Sequence, residues 1–525
     1  MSLQSMRIVS ELLQARAKDS GKRVFCSFRG QQTTCEQLLA GVQEMAGALR
    51  QAGAKPGDRV GLMLGQSVEH IELFLAISWI GATVVFFNPH LKSAGIELQL
   101  NSSRPRVLVA NRVHADAIRR ALPALATPPS VVWFEDGVDG ADEFHLNVLL
   151  RTSRAVTIAA QRSLDDAIVI SYTSGTTGAP KGAVLSERFY WVATKNAAIL
   201  SDAQRDDTIL LWEPMCNGNA WPIALMALHK GPRIHIVERF SASRLWDQIA
   251  EAGATKFHYV GGLVNIILAQ PPVDAGRNNS ISIAWGSSCP ADSWRRFEDR
   301  FELMVREGYG LTEAQNYTHM NLHGVVGSIG TPVEEFDSSM ADHQGKAVGP
   351  GVVGEIVLKP KSPSVAMTCY WGAPEKTAEV LRDRCVYTGD LGMVDQAGNF
   401  YFKGRKKDAM RRRGQNVSAW EVERVLNAAP DVEDSAMIGV DSGLGDHDQE
   451  ILAVIKLRDG ARADPVGIIG FCAEQLAYYQ VPRFIQFVNE FPRGPTQRIL
   501  KKEIAANLEN AWDAEKAGLK PKRTV

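Results

Sequence analysis

With 525 residues, 45% of them hydrophobic and 22% charged, the chain has the make-up of a globular protein too long for one core, so two or three domains are expected. A formal net charge of -1 and the absence of any long Lys/Arg run exclude a strong field for nucleic acid. The seven cysteines, odd in number and without a CxxC pair, suit a reduced cytoplasmic setting.

Met1 to Ser20 reads as an amphipathic helix with polar flanks and without the apolar centre of a signal peptide. Leu73 to Phe87 is the most apolar stretch, but it falls short of the roughly 20 residues that a membrane span needs and is broken at Gly81. It is read as a core helix opened by Ser67, followed by a strand at Thr83–Phe87. Further strands are predicted at Arg59–Leu64, Val107–Ala110, Ile168–Tyr172, Ile209–Trp212, Arg233–Val237, Lys256–Val260, Ile281–Trp285 and Met304–Glu307. These short β-branched runs alternate with longer amphipathic ones, which predicts an α/β fold of parallel sheets flanked by helices, with function at the C-terminal strand ends.

After about Gly310 the texture changes to Gly-punctuated β segments such as Gly351–Leu358, and a small β subdomain is expected. Near Gly404–Lys407 it changes again to a compact α+β portion. Ser418 and Glu421 form a capping box there, and the helix carries Val422, Val425 and Leu426 on one face until Pro430. The expected division is therefore a large N-terminal domain over residues 1–404 and a small mobile C-terminal domain over 405–525.

The segment Ser171–Gly182, SYTSGTTGAPKG, follows an apolar β-branched run. Thr173, Ser174, Gly175, Thr176, Thr177 and Gly178 offer hydroxyls and unobstructed backbone N–H groups, and Lys181 adds a point charge, a combination that cradles phosphate. It is not a Walker A loop, because Gly182 and not Ser or Thr follows the lysine. Glu313, in Tyr309-Gly310-Leu311-Thr312-Glu313, is a hard oxygen donor suited to Mg²⁺, and Thr312 is placed to hydrogen-bond a phosphate or carboxylate. No zinc-ligand spacing competes.

The phosphate loop, the YGLTE motif, Tyr387-Thr388-Gly389-Asp390 and Gly404-Arg405-Lys406-Lys407-Asp408 occur in an order that resembles the adenylate-forming superfamily of acyl-CoA synthetases, nonribosomal peptide adenylation domains and luciferases. Arg411–Glu423 and Trp512–Gly518 look like the crotonobetaine/carnitine-CoA ligase branch. The resemblance implies ATP, Mg²⁺ and coenzyme A as cofactors, a small carboxylic acid as partner, no membrane insertion, and allows a homodimer. It implies that Lys181, Thr312 and Glu313 act on the phosphates, with Glu313 holding the metal. Gly286, Ser287, Ser288, Tyr309 and Gly310 would lie along adenine, while Asp390, Phe402 and Arg405 would serve the adenosine. Lys407 becomes a hinge, and Gly414 and Gln415 face the CoA channel.

The acyl pocket is expected along Trp212–Trp221, Val260-Gly261-Gly262 and Gln315-Asn316-Tyr317. Relatives carry an aromatic and a histidine where this chain has Cys216 and Asn217, and Glu213, Asn217, Asn219, Gln315 and Asn316 make the lining polar. A polar or cationic small acid is expected over a long fatty one. The family's adenylating lysine is replaced by Arg498, a planar fork where a compact ammonium is usual, with Lys501 or Lys502 as substitutes in a shifted register. The expected activity is an acid:CoA ligase. An adenylating enzyme with another acceptor and a nucleotide-binding pseudoenzyme stay open beside it.

Overall fold

The structure, a computed structural model, describes residues 6–134, 144–173, 180–218, 220–260, 263–271, 280–342, 344–405, 410–413, 415–417, 419–441, 449–492, 499 and 501–519. Among these, the β-branched runs assemble into two large sheets. The first has the order Phe144–His145, Ser130–Trp133, Val107–Ala110, Arg59–Met63, Thr83–Phe86, Ala167–Thr173 and Lys181–Ser186, parallel except for the last pair. Val60, Leu62, Val84, Val107, Val109 and Ile168 are fully buried, because helices cover both faces of such a sheet.

The second large sheet runs Thr331–Pro332, Gln315–Asn321, Met304–Leu311, Ile283–Ser287, Lys256–Val260, Thr208–Leu211, Arg233–Ile236, Val24–Phe28 and Gln31–Thr34. It is parallel from Met304–Leu311 through Val24–Phe28 and antiparallel at both edges. Each predicted parallel strand is present within two residues of its expected ends, except that Met304–Leu311 runs four residues past Glu307. The sheet also reaches further along the chain than the change in texture at Gly310 implies, since the segment to Pro332 still completes it. Gly310 permits the return, because a Cβ there would lie 2.2 Å from the Gln315 carbonyl oxygen.

The apolar stretch after Ser67 is the helix Val68–Trp79, with the Ser67 hydroxyl accepting from the His70 N–H, and the chain then turns through Gly81 at φ 79° into the strand Thr83–Phe86. None of the described helices is long and apolar enough to cross a membrane. A capping box that the sequence reading passed over, Thr34 with Gln37, opens the helix Cys35–Gln51.

The β-rich region forms a third sheet of Ala347–Val348, Phe336–Ala341, Gly354–Pro360, Cys385–Val394, Leu381–Arg382 and Phe400–Arg405. A separate core follows, in which Val422 and Leu426 of the helix Ala419–Ala428 pack with Ile451, Ala453, Ile455 and Cys472 over the sheet Val432–Asp441, Gln449–Leu457, Phe484–Phe487 and Trp512–Asp513. Ser418 and the hinge candidate Lys407 lie outside the described residues.

Between the helices Cys35–Gln51 and Val68–Trp79, Glu44, Glu69 and Glu72 line one pocket with Gly41. Burial, reinforced by Glu69 and Glu44, pushes the Glu72 carboxyl up to about 8 from 4.5. Between those values the fold holds this group protonated while the unfolded chain ionises it. Folding therefore takes up a proton, and the contribution of Glu72 to stability falls as pH rises through that window. Glu72→Gln should be stabilising by on the order of 2 kcal/mol at pH 8 and by little at pH 4.5. Thermal unfolding across that range checks this, and an unchanged pH slope would refute it.

Candidate active site

Thr173 and Lys181 face each other at the open end of the antiparallel pair that closes the first sheet, and the Thr173 hydroxyl lies 3.4 Å from the Lys181 carbonyl oxygen. Ser174, Gly175, Thr176, Thr177 and Gly178, which join them, are outside the described residues. A crosspiece, residues 365–371, holds this pair against the second sheet. Trp371 N donates to Gly182 O at 2.7 Å, Thr368 N to Val184 O at 3.0 Å, and Met367 N to Glu313 O at 2.9 Å.

Tyr370 on the crosspiece was not foreseen. Its ring lies under the Lys181 Nζ at 5.0 Å from the centroid, and its hydroxyl donates to Glu313 Oε1 at 2.5 Å. Burial first, then the Glu313 charge, hold the phenol well above its usual range, so it stays a donor. A cation–π contact and a charge-assisted hydrogen bond thus fix the lysine and the carboxylate relative to each other. The sequence signal was faint, a lone tyrosine in Cys369-Tyr370-Trp371.

Thr312 and Glu313 occupy the turn between Met304–Leu311 and Gln315–Asn321, both half-buried. Gln315, predicted to line the acyl pocket, is instead fully buried and donates its amide to Phe189 O at 3.0 Å and Val365 O at 2.7 Å. It braces the turn and the crosspiece, because a left-handed φ of 94° turns its side chain into the core.

Tyr309 is 7% exposed, and its hydroxyl donates to Asp390 Oδ2 at 2.8 Å. The turn before Asp390 is tied independently: Thr388 Oγ1 accepts the Asp390 N–H at 3.0 Å and Glu355 Oε1 accepts the Gly389 N–H at 2.9 Å. Register pairs Asp390 with Arg405, and the Phe402 ring lies 6.4 Å from that of Tyr309. Three motifs separated by up to 96 positions in the chain, Tyr309 to Arg405, therefore meet where the second and third sheets adjoin.

Gly286, Ser287 and Ser288 sit at the end of Ile283–Ser287, with Val260 opposite Ser287. A Cβ on Gly286 would fall 1.9 Å from Tyr259 O, which only glycine avoids. Glu307 fixes the loop and was also missed. Its carboxylate accepts from Ser288 N, from Cys289 N at 3.2 Å, and from the Tyr259 hydroxyl at 2.5 Å. Burial pushes its carboxyl up to about 8.

Where the acyl pocket is expected, the turn after Leu211 lies between the two large sheets. Gln66 Nε2 donates to Glu213 O at 2.8 Å and its Oε1 accepts from Met215 N at 2.9 Å, while Asn316 Nδ2 reaches Gly218 O at 3.5 Å. Burial pushes the Cys216 thiol up to about 12, which leaves it inert as a nucleophile. Asn217 closes the turn, its N–H donating to Pro214 O at 2.9 Å. Below it, Glu213, His258 and Tyr317 form a buried polar group, with Tyr317 Oη 2.8 Å from His258 Nε2. Asn219, Gly261 and Gly262 are outside the described residues.

In the C-terminal portion Gln415 pairs with Arg412 in a two-stranded ribbon. The Arg412 guanidinium is buried against Glu450 at 2.5 Å and donates to the carbonyls of Tyr479 and Val481. Lys501 is ion-paired with Glu423 at 2.5 Å. Gly414 and Arg498 lie outside the described residues. Of the interactions above, the Glu307 cluster is the most exposed to a single substitution. Glu307→Ala should cost about 2 kcal/mol by stranding the Ser288 and Cys289 backbone N–H groups, while the Tyr259 hydroxyl keeps Arg306 O at 3.1 Å. Chemical denaturation measures this, and a loss below about 1 kcal/mol would show that the loop does not depend on Glu307.

The family model described as AMP-binding enzyme matches residues 13–371, and that described as AMP-binding enzyme C-terminal domain matches residues 421–498. A feruloyl-CoA synthase from Amycolatopsis sp is 30% identical over 497 residues, covering 93% of this chain and 96% of its own. A crotonobetaine/carnitine–CoA ligase from Salmonella typhi is 26% identical over 523 residues, covering 95% and 99%. Among solved structures, the amide bond synthetase McbA from Marinactinospora thermotolerans superposes with a TM-score of 0.82 at 22% identity, covering 95% of this chain and 99% of its own, a likeness of fold. With its motifs gathered on one edge of two sheets and relatives matching nearly end to end, the chain belongs to the AMP-binding enzyme family, the adenylate-forming ligases.

Proposed function

We propose that the protein is an ATP-dependent carboxylic acid:CoA ligase acting on a short or medium polar acid. In the first half-reaction an acid oxygen bonds to the α-phosphorus of ATP and pyrophosphate leaves. In the second the CoA thiol, losing its proton, bonds to the acyl carbon and AMP leaves. The observation that carries this reading is Tyr370 joining Lys181 to Glu313, a cation and a carboxylate set side by side at the end of a phosphate-type loop.

Both substrates of the first step are anions, so the site has to gather positive charge and oriented donors where charge develops. Lys181 and the loop N–H groups would hold the β- and γ-phosphates, and Thr312 would donate to the α-phosphate or the acid. The second oxygen of Glu313 suits Mg²⁺, a hard cation that would supply positive charge at the phosphates. Asp390, beside Tyr309 and opposite Arg405, is placed to accept from ribose hydroxyls. The ion pair of Lys501 with Glu423 supports Arg498 as the cation of the adenylation step. We place the domain boundary near residue 404, with Lys407 as the swivel that exchanges Arg498 for the face carrying Gly414 and Gln415. Seven unpaired cysteines support a reducing, cytoplasmic setting. The names of the two curated relatives, for feruloyl and for crotonobetaine and carnitine, support a polar acid.

The test is a panel of acids with ATP and Mg²⁺, read as pyrophosphate release and then as CoA thioester by mass. Activity on polar acids is expected, and a preference for chains beyond about ten carbons would defeat the pocket reading. Other thiols and amines offered in place of CoA decide the acceptor, and silence across the panel would favour a pseudoenzyme. Lys181→Ala and Glu313→Gln should each slow adenylation by about 10²-fold or more. Arg498→Ala should slow adenylation while leaving thioester formation from preformed acyl-adenylate near normal, and a wild-type adenylation rate in that variant would make Arg498 a bystander.

A further inference from the structure

The polar group beneath the 213–218 turn is unusual for a protein interior. Glu213 is 4% exposed and His258 2% exposed, and His258 Nδ1 lies 3.3 Å from Glu213 Oε1. That is an ion-pair distance, yet neither His258 Nδ1 nor Glu213 Oε2 has a hydrogen-bond partner among the described residues. A buried carboxylate oxygen without a donor is costly, and native structures retain such atoms where something else completes them. Most of the rest of the group is tied down, although Trp285 Nε1, like His258 Nδ1, has no hydrogen-bond partner among the described residues. Tyr317 Oη meets His258 Nε2 at 2.8 Å, Trp212 Nε1 donates to His258 O at 2.6 Å, and the Trp285 ring stands edge-on to the imidazole at 5.4 Å. The carboxylate is thus held on aromatic walls with its second oxygen open.

Its place in the fold says what completes it. Glu213 follows Leu211 at a C-terminal strand end, and the turn it begins comes near Ser171 of the phosphate-loop strand and meets Asn316, three residues past Glu313. An acid with its carboxylate among Lys181, Thr312 and Glu313 would extend past Asn217 and Asn316 toward this floor.

Resting on the ligase reading, we propose that Glu213, steadied by His258 and Tyr317, selects acids that carry a hydrogen-bond donor, a hydroxyl or an amine, at the end remote from the carboxylate. Glu213 Oε2 accepts that donor and is satisfied only when such a substrate is bound. A site built around a buried acceptor rejects the isostere lacking the donor far more strongly than an apolar pocket distinguishes one methyl group.

The experiment compares matched acids by pyrophosphate release: 4-hydroxybenzoate and 4-aminobenzoate against 4-methylbenzoate, and 4-hydroxybutyrate and 4-aminobutyrate against pentanoate. In at least one series the wild type should favour the donor-bearing acid in kcat/KM by about 10²-fold or more. Glu213→Gln should cut that ratio about tenfold, and Glu213→Leu, without either acceptor oxygen, should bring it near unity, thermal melts confirming that each variant is folded. Equal use of methyl and donor acids by the wild type in every series overturns the inference and leaves the ligase reading intact. A preference that survives in both variants also overturns it. A wild type inactive on every acid, these and the broader panel, removes the ligase reading and this inference with it.

Discussion

The crosspiece 365–371 is the constraint on which the site depends. It hydrogen-bonds to the last strand of one large sheet through Gly182 and Val184 and to the turn of the other through Glu313, while Gln315 grips it from below at Val365. Two sheets that the chain builds from separate stretches are locked at one edge, and Tyr370 is the side chain at which their functional ends meet. Backbone hydrogen bonds give this joint its rigidity, and a charge-assisted bond and a cation–π contact give it chemical identity.

The same economy governs the loops around it. Each is held by a buried carboxylate aimed at backbone or a neighbour: Glu307 under Ser288 and Cys289, Glu355 under Gly389, Glu213 beside His258. Glu307 and Glu355 are satisfied by donors that the fold supplies. Glu213 keeps one oxygen without a hydrogen-bond partner among the described residues, which sets it apart from these two supports. Burial holds the Cys216 thiol in the 213–218 turn up at about 12, so the turn carries no ready thiolate.

The C-terminal portion follows a different logic. Arg412 and Arg413 are taken up structurally, Arg412 buried on Glu450 and Arg413 close to both Glu450 and Glu515. Contact with the large sheets runs through aromatic residues, the Tyr479 hydroxyl accepting from Asn88 Nδ2 at 3.0 Å and His90 standing edge-on to Tyr478 at 4.9 Å.

The sequence by itself determined the strands, because buried parallel strands are mostly apolar along their length: Val107–Ala110, apolar throughout, could be read to the residue, and so could Lys256–Val260 despite its Lys256 and His258. It determined the family as well, since four short motifs in fixed order constrain local backbone and charge. Only the tertiary structure decided which polar residues serve the site and which hold it. Gln315 is a pocket residue by position and a brace by its left-handed φ, while Tyr370, Glu307 and His258 carry no local pattern. Their hydrogen-bond partners Glu313, then Ser288, Cys289 and Tyr259, then Tyr317 lie 57, then 19, 18 and 48, then 59 residues away. Local spacing fixes which way a strand or helix faces, but the meeting of two side chains from different strands depends on sheet register and on the crosspiece, and those exist only once the chain is packed.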